Sequence, residues 1–474
     1  MERHIRGIER ESLEITGMMI EEQIGEENAV RAIEAIIERV DVKEIGFKHS
    51  ETKETGRKPY SPRDMLKLYV YGYYNGIRST RKLEAECSRN IELIWLMRWL
   101  KPDFKTIADF RKDNKAAIQQ AFLQFSVICD ELGLLGKEIV AIDGSKFRAS
   151  NNSNAYWTKK KVSDKRGEYA KSAERYTKLL DACDREEGIR QTRGYTRKDL
   201  EERLDYIQSK MEKLEAVAPI VEASGDVSLT DPEARKMKHL NGANEVSHNV
   251  QIAVDEKNHM VVAVDVTSEA VEYEQFHTMS KQAKEALGVD SLTVLADRGY
   301  FSGEQLDKAE KDGIIPVVPK PDRANSPDPA YTSSSFVYDE QNDVYICPQG
   351  KVLPRKQKRN KETPETYYGS RHTCNGCPVR DKCTASKDCR TIVRFEFQAA
   401  ADRAFLRVWQ NRSLYKKRKT LVEHIFGTVK ACFGFRYLSV RRTDMVKTDS
   451  CLVFLAYNLK RAINILGTRA LSEA

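Results

Sequence analysis

The chain has 474 residues, more than one hydrophobic core usually holds, since cores divide beyond roughly 250–300 residues. Hydrophobic residues at 40% and charged residues at 32% exclude a disordered class, and no run reaches the ~20 apolar residues needed to cross a bilayer. The formal charge of +8 excludes a strongly acidic protein and leans only slightly toward a polyanionic partner.

Local charge says more than the total. Arg355-Lys356-Gln357-Lys358-Arg359 and Lys416-Lys417-Arg418-Lys419 concentrate cations that would release counterions from a phosphate backbone, or equally form a solvated face. Met1 to Glu11 mixes both charge signs without an apolar leader, so the expectation is a cytoplasmic chain. Ten cysteines in that compartment stay reduced and must be read for metal.

In chain order, Ser61 to about Leu135 reads as helical. Pro62 sits in a first turn ahead of Met65, Leu66, Leu68, Tyr69, Val70 and Tyr73, and Gly72 and Gly76 weaken that helix. Ser79 and Thr80 mark a second start, Ile91–Leu100 is another apolar segment ending at Pro102, and Thr106 marks a third start before Ile107, Phe110 and Arg111. Short helices at sharp turns suggest a helix-turn-helix-like unit, and the helix after Thr106 either offers basic side chains to a groove or simply packs against its neighbours.

The texture changes at Glu138. Ile139-Val140-Ala141-Ile142 followed by Asp143-Gly144 reads as a buried strand ending in a carboxylate. From Trp157 to about Val217 the chain is charged and helical, with Leu200, Leu204, Ile207, Met211 and Leu214 spaced 4-3-4-3, which predicts an inserted helical hairpin with a local apolar seam. Strand signals resume at Asn249–Val254 and Met260–Val266 across a turn, followed by a helix from about Phe276 to Leu287. Leu292 to Ala296 then leads into Asp297, followed by a helix from Gly303 to Lys311 and the run Ile314–Val318.

With the insertion set aside, this order matches an α/β, ribonuclease H-like mixed sheet, in which Asp143 and Asp297 would meet at adjacent strand ends. Two such carboxylates bind divalent cations through oxygen, and a third from a facing helix completes a phosphodiester-cleaving site.

Three stretches carry a specific likeness. Tyr415, Arg418, Glu423 and Lys430 together resemble the last signature of bacterial insertion-sequence transposases of the DDE type, where a Tyr, an Arg, the catalytic Glu and a Lys follow at fixed spacing. Ala141-Ile142-Asp143-Gly144-Ser145 resembles that family's first Asp motif, and Leu295-Ala296-Asp297-Arg298-Gly299-Tyr300 its second. With the helical N-terminal part the likeness covers most of the chain.

The resemblance implies a nuclease and strand-transferase in which Asp143, Asp297 and Glu423 hold two Mg²⁺ (or Mn²⁺) ions. Tyr415, Arg418, Lys419, Lys430 and Arg298 would contact DNA, and the partners would be double-stranded terminal inverted repeats and target DNA, bound as a homodimer at the nucleoid. Many relatives have three residues between the Arg and the Glu, whereas this chain has four after Arg418, and Lys419 restores the shorter spacing. On a helix Lys419 and Lys430 fall within about 40° of Glu423 and Arg418 about 140° away, so Lys419 is the expected phosphate contact. A non-catalytic DNA-binding descendant, or a ribonuclease H-like nuclease with another substrate, are the alternative readings.

Cys347, Cys374, Cys377 and Cys383 form the ligand set of a structural Zn²⁺ site, with Cys389 as a fifth candidate. Such a site would organise a loop-rich insertion too polar to bury much core alone. The remaining cysteines, Cys87, Cys129, Cys183, Cys432 and Cys451, are expected in the core. Trp157 and Tyr300 could stack on a flipped base or simply be buried, and His424 points about 100° from Glu423, toward packing or a phosphate. The expected domains are a helical DNA-binding part (1–135), a catalytic part (136–320 and 394–474) carrying the hairpin (155–220), and the cysteine-rich insertion (321–393).

Overall fold

A computed structural model describes residues 19–51, 58–152, 155–185, 195–239, 241–321, 327–356 and 365–473. Met1 to Glu11 and the part of the first basic run at 357–359 lie outside them. The chain divides into two compact units, one of Met1–Leu134, Gly427–Arg436 and Asp444–Ala474, the other of Leu135–Phe426 and Tyr437–Thr443.

The first unit is helical: α1 (Ala29–Glu38), α2 (Pro62–Tyr74), α3 (Thr80–Arg89), α4 (Ile91–Leu96), α5 (Phe104–Asp113) and α6 (Lys115–Glu131), joined by α15 (Thr443–Leu466) and α16 (Thr468–Glu473). Caps set the starts: Ser61 accepts from the Arg63 N–H, Ser79 from Lys82 and Asn90 from Glu92. The third start is not Thr106. Asp103 caps α5, accepting at 3.0 Å from both the Lys105 and Thr106 N–H groups, because a carboxylate at the first free turn outcompetes a hydroxyl three residues inside it.

Arg111 points inward, which is the packing alternative of the two readings of this helix. It pairs with Asp449 of α15 at 2.6 Å, and that fully buried carboxylate also accepts from the Tyr73 hydroxyl and pairs with Arg78 at 3.4 Å. A second buried ion, Lys67, meets Glu34 at 2.8 Å and Glu38 at 2.5 Å. α15 runs through the centre of this unit, with residues such as Leu452, Val453, Phe454 and Leu459 fully buried.

In the second unit, β1 (Ile139–Arg148) leads through β2 (Tyr156–Trp157) into the long α7 (Lys159–Arg185) and α8 (Arg197–Ser224). The expected seam closes locally: Leu200, Ile207 and Leu214 are buried, and Leu214, Val217, Ala218 and Val221 pack on Val162 and Val227. Trp157 packs against this cluster, with the Lys161 ammonium 4.7 Å from its ring centre, so its role is in the core. β3 (Val227–Ser228) returns to pair with β2.

Then follow β4 (Arg235–Lys238), β5 (Asn244–Asp255), β6 (Val261–Thr267), α9 (Gln275–Leu287), β7 (Leu292–Leu295), α10 (Gly303–Lys311) and β8 (Ile314–Val317). They form one mixed sheet. β5 pairs antiparallel with β1 on one edge and with β4 and then β6 on the other, while β1, β7 and β8 run parallel.

The cysteine-rich segment holds β9 (Val337–Asp339), β10 (Val344–Ile346), β11 (Val352–Pro354), β12 (Glu365–Tyr368), α11 (Arg371–Asn375), α12 (Arg380–Cys383) and β13 (Thr391–Arg394). It buries more than its composition suggests: Phe336, Tyr345, Leu353, Tyr367 and Ile392 form a small core in which Tyr345 and Tyr367 meet edge-on at 5.0 Å. A few aromatic rings replace many aliphatic side chains here. α13 (Gln398–Gln410) and α14 (Arg412–Ala431) complete the elements. Of the cysteines expected in the core, Cys87, Cys129 and Cys451 are buried, Cys183 is half-buried and Cys432 is exposed at the end of α14, where its helix face turns outward.

Removing one partner of a buried ion pair strands the other charge. Asp449→Ala should therefore lower the unfolding free energy by about 3–5 kcal/mol in urea titrations, far more than substitution of the exposed Asp444.

Candidate active site

The site begins with a register. β1 and β7 pair in parallel through Ile139–Thr293, Val140–Val294 and Ala141–Leu295, and the two aspartates each stand two residues beyond the last of these pairs. Asp143 and Asp297 therefore reach the same level of the sheet. Asp143 does not end its strand, as its sequence suggested; β1 continues to Arg148 because the long partner β5 keeps pairing with it after β7 has stopped.

Local bonds orient both carboxylates. Asp143 Oδ1 accepts from the Gly144 N–H at 2.9 Å, and Asp297 Oδ1 accepts from the Gly299 N–H at 2.7 Å, capping a single turn at Arg298–Tyr300. Burial pushes the Asp143 carboxyl up to about 6; Arg418 opposes the rise, and the charges of Asp297 and Glu272 add to it.

Glu272 went unnoticed in the sequence. It lies in the loop between β6 and α9, where Ser268 to Glu274 shows no periodic pattern. Burial first, and then the charge of Asp297, raise its carboxyl above the ordinary range, opposed by the amides of Asn249 and Gln251 and by Lys146. The Asn249 Nδ2 donates to its Oε1 at 3.3 Å.

Gln251 stands opposite Gly144 across the β1–β5 pair, and a Cβ at Gly144 would lie 2.2 Å from the Gln251 Nε2 and 2.6 Å from the Glu272 Oε1. Only a missing side chain leaves that room. Tyr300 is fully buried and its hydroxyl donates to the Gln251 Oε1, so its ring belongs to the floor of the site and not to a stacking platform.

α14 supplies the cation. Its inward face is Arg418, Leu421, Val422, Ile425 and Phe426, all buried, with Phe426 6.1 Å from the Phe147 ring of β1. Arg418 Nη1 lies 3.6 Å from Asp143 Oδ2. One turn earlier, Tyr415 is half-buried; its hydroxyl is raised by burial and shares the surroundings of Arg418, Asp297 and Arg298.

The cation at Asp143 is thus Arg418, while Lys419 is exposed. The angular estimate measured both from Glu423 as though that residue faced inward, whereas the apolar residues set the inward face and leave Glu423 exposed at its flank. Beside it, His424 holds the Thr420 carbonyl at 2.8 Å through Nδ1 and packs its ring 5.0 Å from His259. Lys430 is half-buried in the other unit, and burial lowers its ammonium pKa.

Asp143, Asp297, Arg298, Tyr415 and Arg418 share one electrostatic neighbourhood, joined by Glu272 and Tyr300. Among the described residues no three His, Cys, Asp or Glu side chains stand at metal-holding separation. The carboxylate oxygens of Asp143 and Asp297 are of the type a hard divalent cation takes.

In the cysteine-rich segment, burial raises the Cys383 thiol against Arg390, and Cys374, Cys347 and Cys377 add to the rise. The Cys347 Sγ also accepts from the Lys351 N–H at 3.3 Å.

Two families match. The Transposase domain (DUF772) covers residues 18–113, and the Transposase DDE domain covers residues 346–463, which includes the cysteines and the Tyr415 to Lys430 motif. The chain thus carries two transposase domains, one of them of the DDE type. Together they support an insertion-sequence DDE transposase. Comparisons with the curated proteins and with the solved structures returned no match.

Packing around Gly144 should be intolerant. Gly144→Ala is expected to cost about 1–3 kcal/mol by overpacking. Gly427→Ala, with nothing within 4 Å inside α14, should instead raise stability by about 0.5–1 kcal/mol in the same denaturation series.

Proposed function

We propose that the chain binds the terminal inverted repeats of its element, cleaves a phosphodiester there and joins the freed end to target DNA, with Asp143, Asp297 and Glu423 as the metal-binding carboxylates. The observation that carries this reading is the level pairing of Asp143 and Asp297 on adjacent parallel strands, faced by the Arg418 of the DDE-domain segment. The strand order β6-β5-β1-β7-β8, antiparallel on one side of β1 and parallel on the other, supports a ribonuclease H-like sheet. The helical segment at 18–113 is then the DNA-binding part.

Two Mg²⁺ (or Mn²⁺) ions would lower the pKa of the attacking oxygen and stabilise the leaving one. The residues of the chain prepare that chemistry. The Gly144 and Gly299 N–H groups orient the Asp143 and Asp297 carboxylates. Arg418 limits their repulsion and offers its remaining N–H groups to a phosphate. Tyr415, Arg298 and the exposed Lys416 and Lys419 line the approach for the DNA backbone.

In the first step a water oxygen bonds to phosphorus and gives up a proton to solvent while the bond to the 3′-oxygen breaks; that oxygen takes a proton from solvent to become a 3′-hydroxyl, and a 5′-phosphate is left. In the second, that hydroxyl oxygen bonds to a target phosphorus and displaces the target's own 3′-oxygen, and its proton passes through solvent to the displaced oxygen. The number of phosphodiesters is unchanged in the second step, so no energy source is required.

Asp143→Ala and Asp297→Ala should each reduce Mg²⁺-dependent cleavage of terminal inverted-repeat duplex by at least about 1000-fold, about 4 kcal/mol in the barrier. Cleavage at the wild-type rate in either variant would overturn the reading.

The same proposal gives Cys347, Cys374, Cys377 and Cys383 one structural Zn²⁺, on the support of their spacing in the sequence and the influence of the first three on Cys383. Elemental analysis of protein purified without chelator should find about one zinc per chain, lost in Cys374→Ser.

A further inference from the structure

We infer that the helical unit meets duplex DNA through the turn between α4 and α5 and the start of α3, with Trp99 entering a groove and Arg81, Lys82, Lys101 and Lys105 taking the phosphates beside it. The inference rests on the reading of that unit as the DNA-binding part.

The turn is made against the preference of its residues. Arg98 and Trp99 both take left-handed backbone, at φ +50° and +65°. There a side chain crowds the carbonyl that follows it, and glycine is the residue that fits freely. Hydrogen bonds hold the shape: the Arg98 N–H donates to the Trp95 carbonyl at 3.1 Å, the Trp99 N–H to the Ile94 carbonyl at 3.1 Å and the Leu100 N–H to the Met97 carbonyl at 2.9 Å. On the other side the Tyr60 hydroxyl donates to the Lys101 carbonyl at 3.2 Å. A tryptophan held in such a conformation for packing would be buried, yet Trp99 is 62% exposed.

A second ring stands close by in the chain. Phe104, the first residue of α5, is 42% exposed, and the Arg81 guanidinium lies 5.0 Å from its ring centre, which brings the start of α3 to the turn. Burial raises the Cys87 thiol of α3 and the Lys101 ammonium opposes the rise, so Lys101 also stands beside that helix.

The charge around the rings has one sign. Arg81, Lys82, Lys101 and Lys105 are all exposed, and among the described residues none of them forms an ion pair. The acid between Arg98 and Lys105 is Asp103, whose oxygens accept from the Lys105 and Thr106 N–H groups and the Thr106 hydroxyl. On α3, Glu86 accepts from Arg89 at 2.9 Å and Glu84 is half-buried.

Exposed rings set among cations match a groove of duplex DNA, with phosphates along its edges and sugars and bases within. A second copy of the chain, docking this surface on itself, would bring the same cations together. Charge therefore selects the polyanion.

The test is binding of the full chain to a duplex carrying the element's terminal inverted repeat. It is read by fluorescence anisotropy over a range of salt, with divalent ions chelated so that no cleavage intervenes. Trp99→Gly should raise the Kd at least about ten-fold and leave the slope of log Kd against log salt unchanged. Arg81→Ala and Lys101→Ala should each lower that slope by about 1. Val127→Ala, which trims an exposed apolar side chain of α6, should change neither. Because glycine accepts the left-handed turn, Trp99→Gly should keep or raise the thermal unfolding midpoint.

Wild-type affinity in Trp99→Gly, or an unchanged slope in both cation variants, would overturn this inference and leave the proposed function standing, since the duplex would be bound through other residues. Weaker binding with a lowered midpoint would mark Trp99 as a folding residue and overturn it as well. So would a dimer that Trp99→Gly dissociates while DNA affinity holds, the mark of a surface for a second copy. Failure of the wild-type chain to bind the duplex would overturn the proposed function, and this inference with it.

Discussion

Two negative charges held side by side on neighbouring parallel strands are the constraint around which the second unit is arranged. Hydrogen bonding between β1 and β7 brings Asp143 and Asp297 to one level of the sheet, and the charge of Asp297 is felt at Asp143. The repulsion is offset from one direction, by Arg418 of α14. That helix must therefore be held in one rotation. Leu421, Val422, Ile425 and Phe426 do so by burial, and the Lys417–Glu256 pair at 2.7 Å ties its outer side to the β5–β6 turn. The approach of Arg418 to Asp143 thus depends on an apolar helix face as much as on the charges themselves.

Much of this was legible in the sequence where the signal is local. The helix at 303–311 and the strands around Asp297 follow from periodicity and turn residues alone. What escaped was set by partners distant in the chain. Asp143 sits within a strand because β5 outlasts β7 beside it, a fact no local pattern carries. Arg111 turns inward because Asp449 lies across from it, more than three hundred residues later. Glu272, Asn249 and Gln251 gather at Gly144 through pairing and loop closure, so none of them stands near an aspartate motif in sequence.

The cysteine-rich segment teaches the complementary point. Its composition suggests a structure dependent on metal, and three of its thiols act on a fourth, Cys383. Yet Tyr338, Tyr345 and Tyr367 stack within 5.0–5.9 Å, and Arg394 lies 3.7 Å over the Tyr338 ring. Counting aliphatic residues undervalues a core built from rings, because each buries a large area and brings a polar group that can bond at its edge, as Tyr367 does to Asp343.

The α7–α8 hairpin leaves the sheet and returns to it through β2 and β3, which pair Tyr156 with Ser228 and Trp157 with Val227. Chain exit and re-entry are thereby fastened together at one point, like the closed base of a branch. Growth or shrinkage of the arm beyond that clasp leaves the register of β1 untouched. Evolution is free to change its reach in whole helical turns, each adding about 5.4 Å, without disturbing the acids at the other end of the strand.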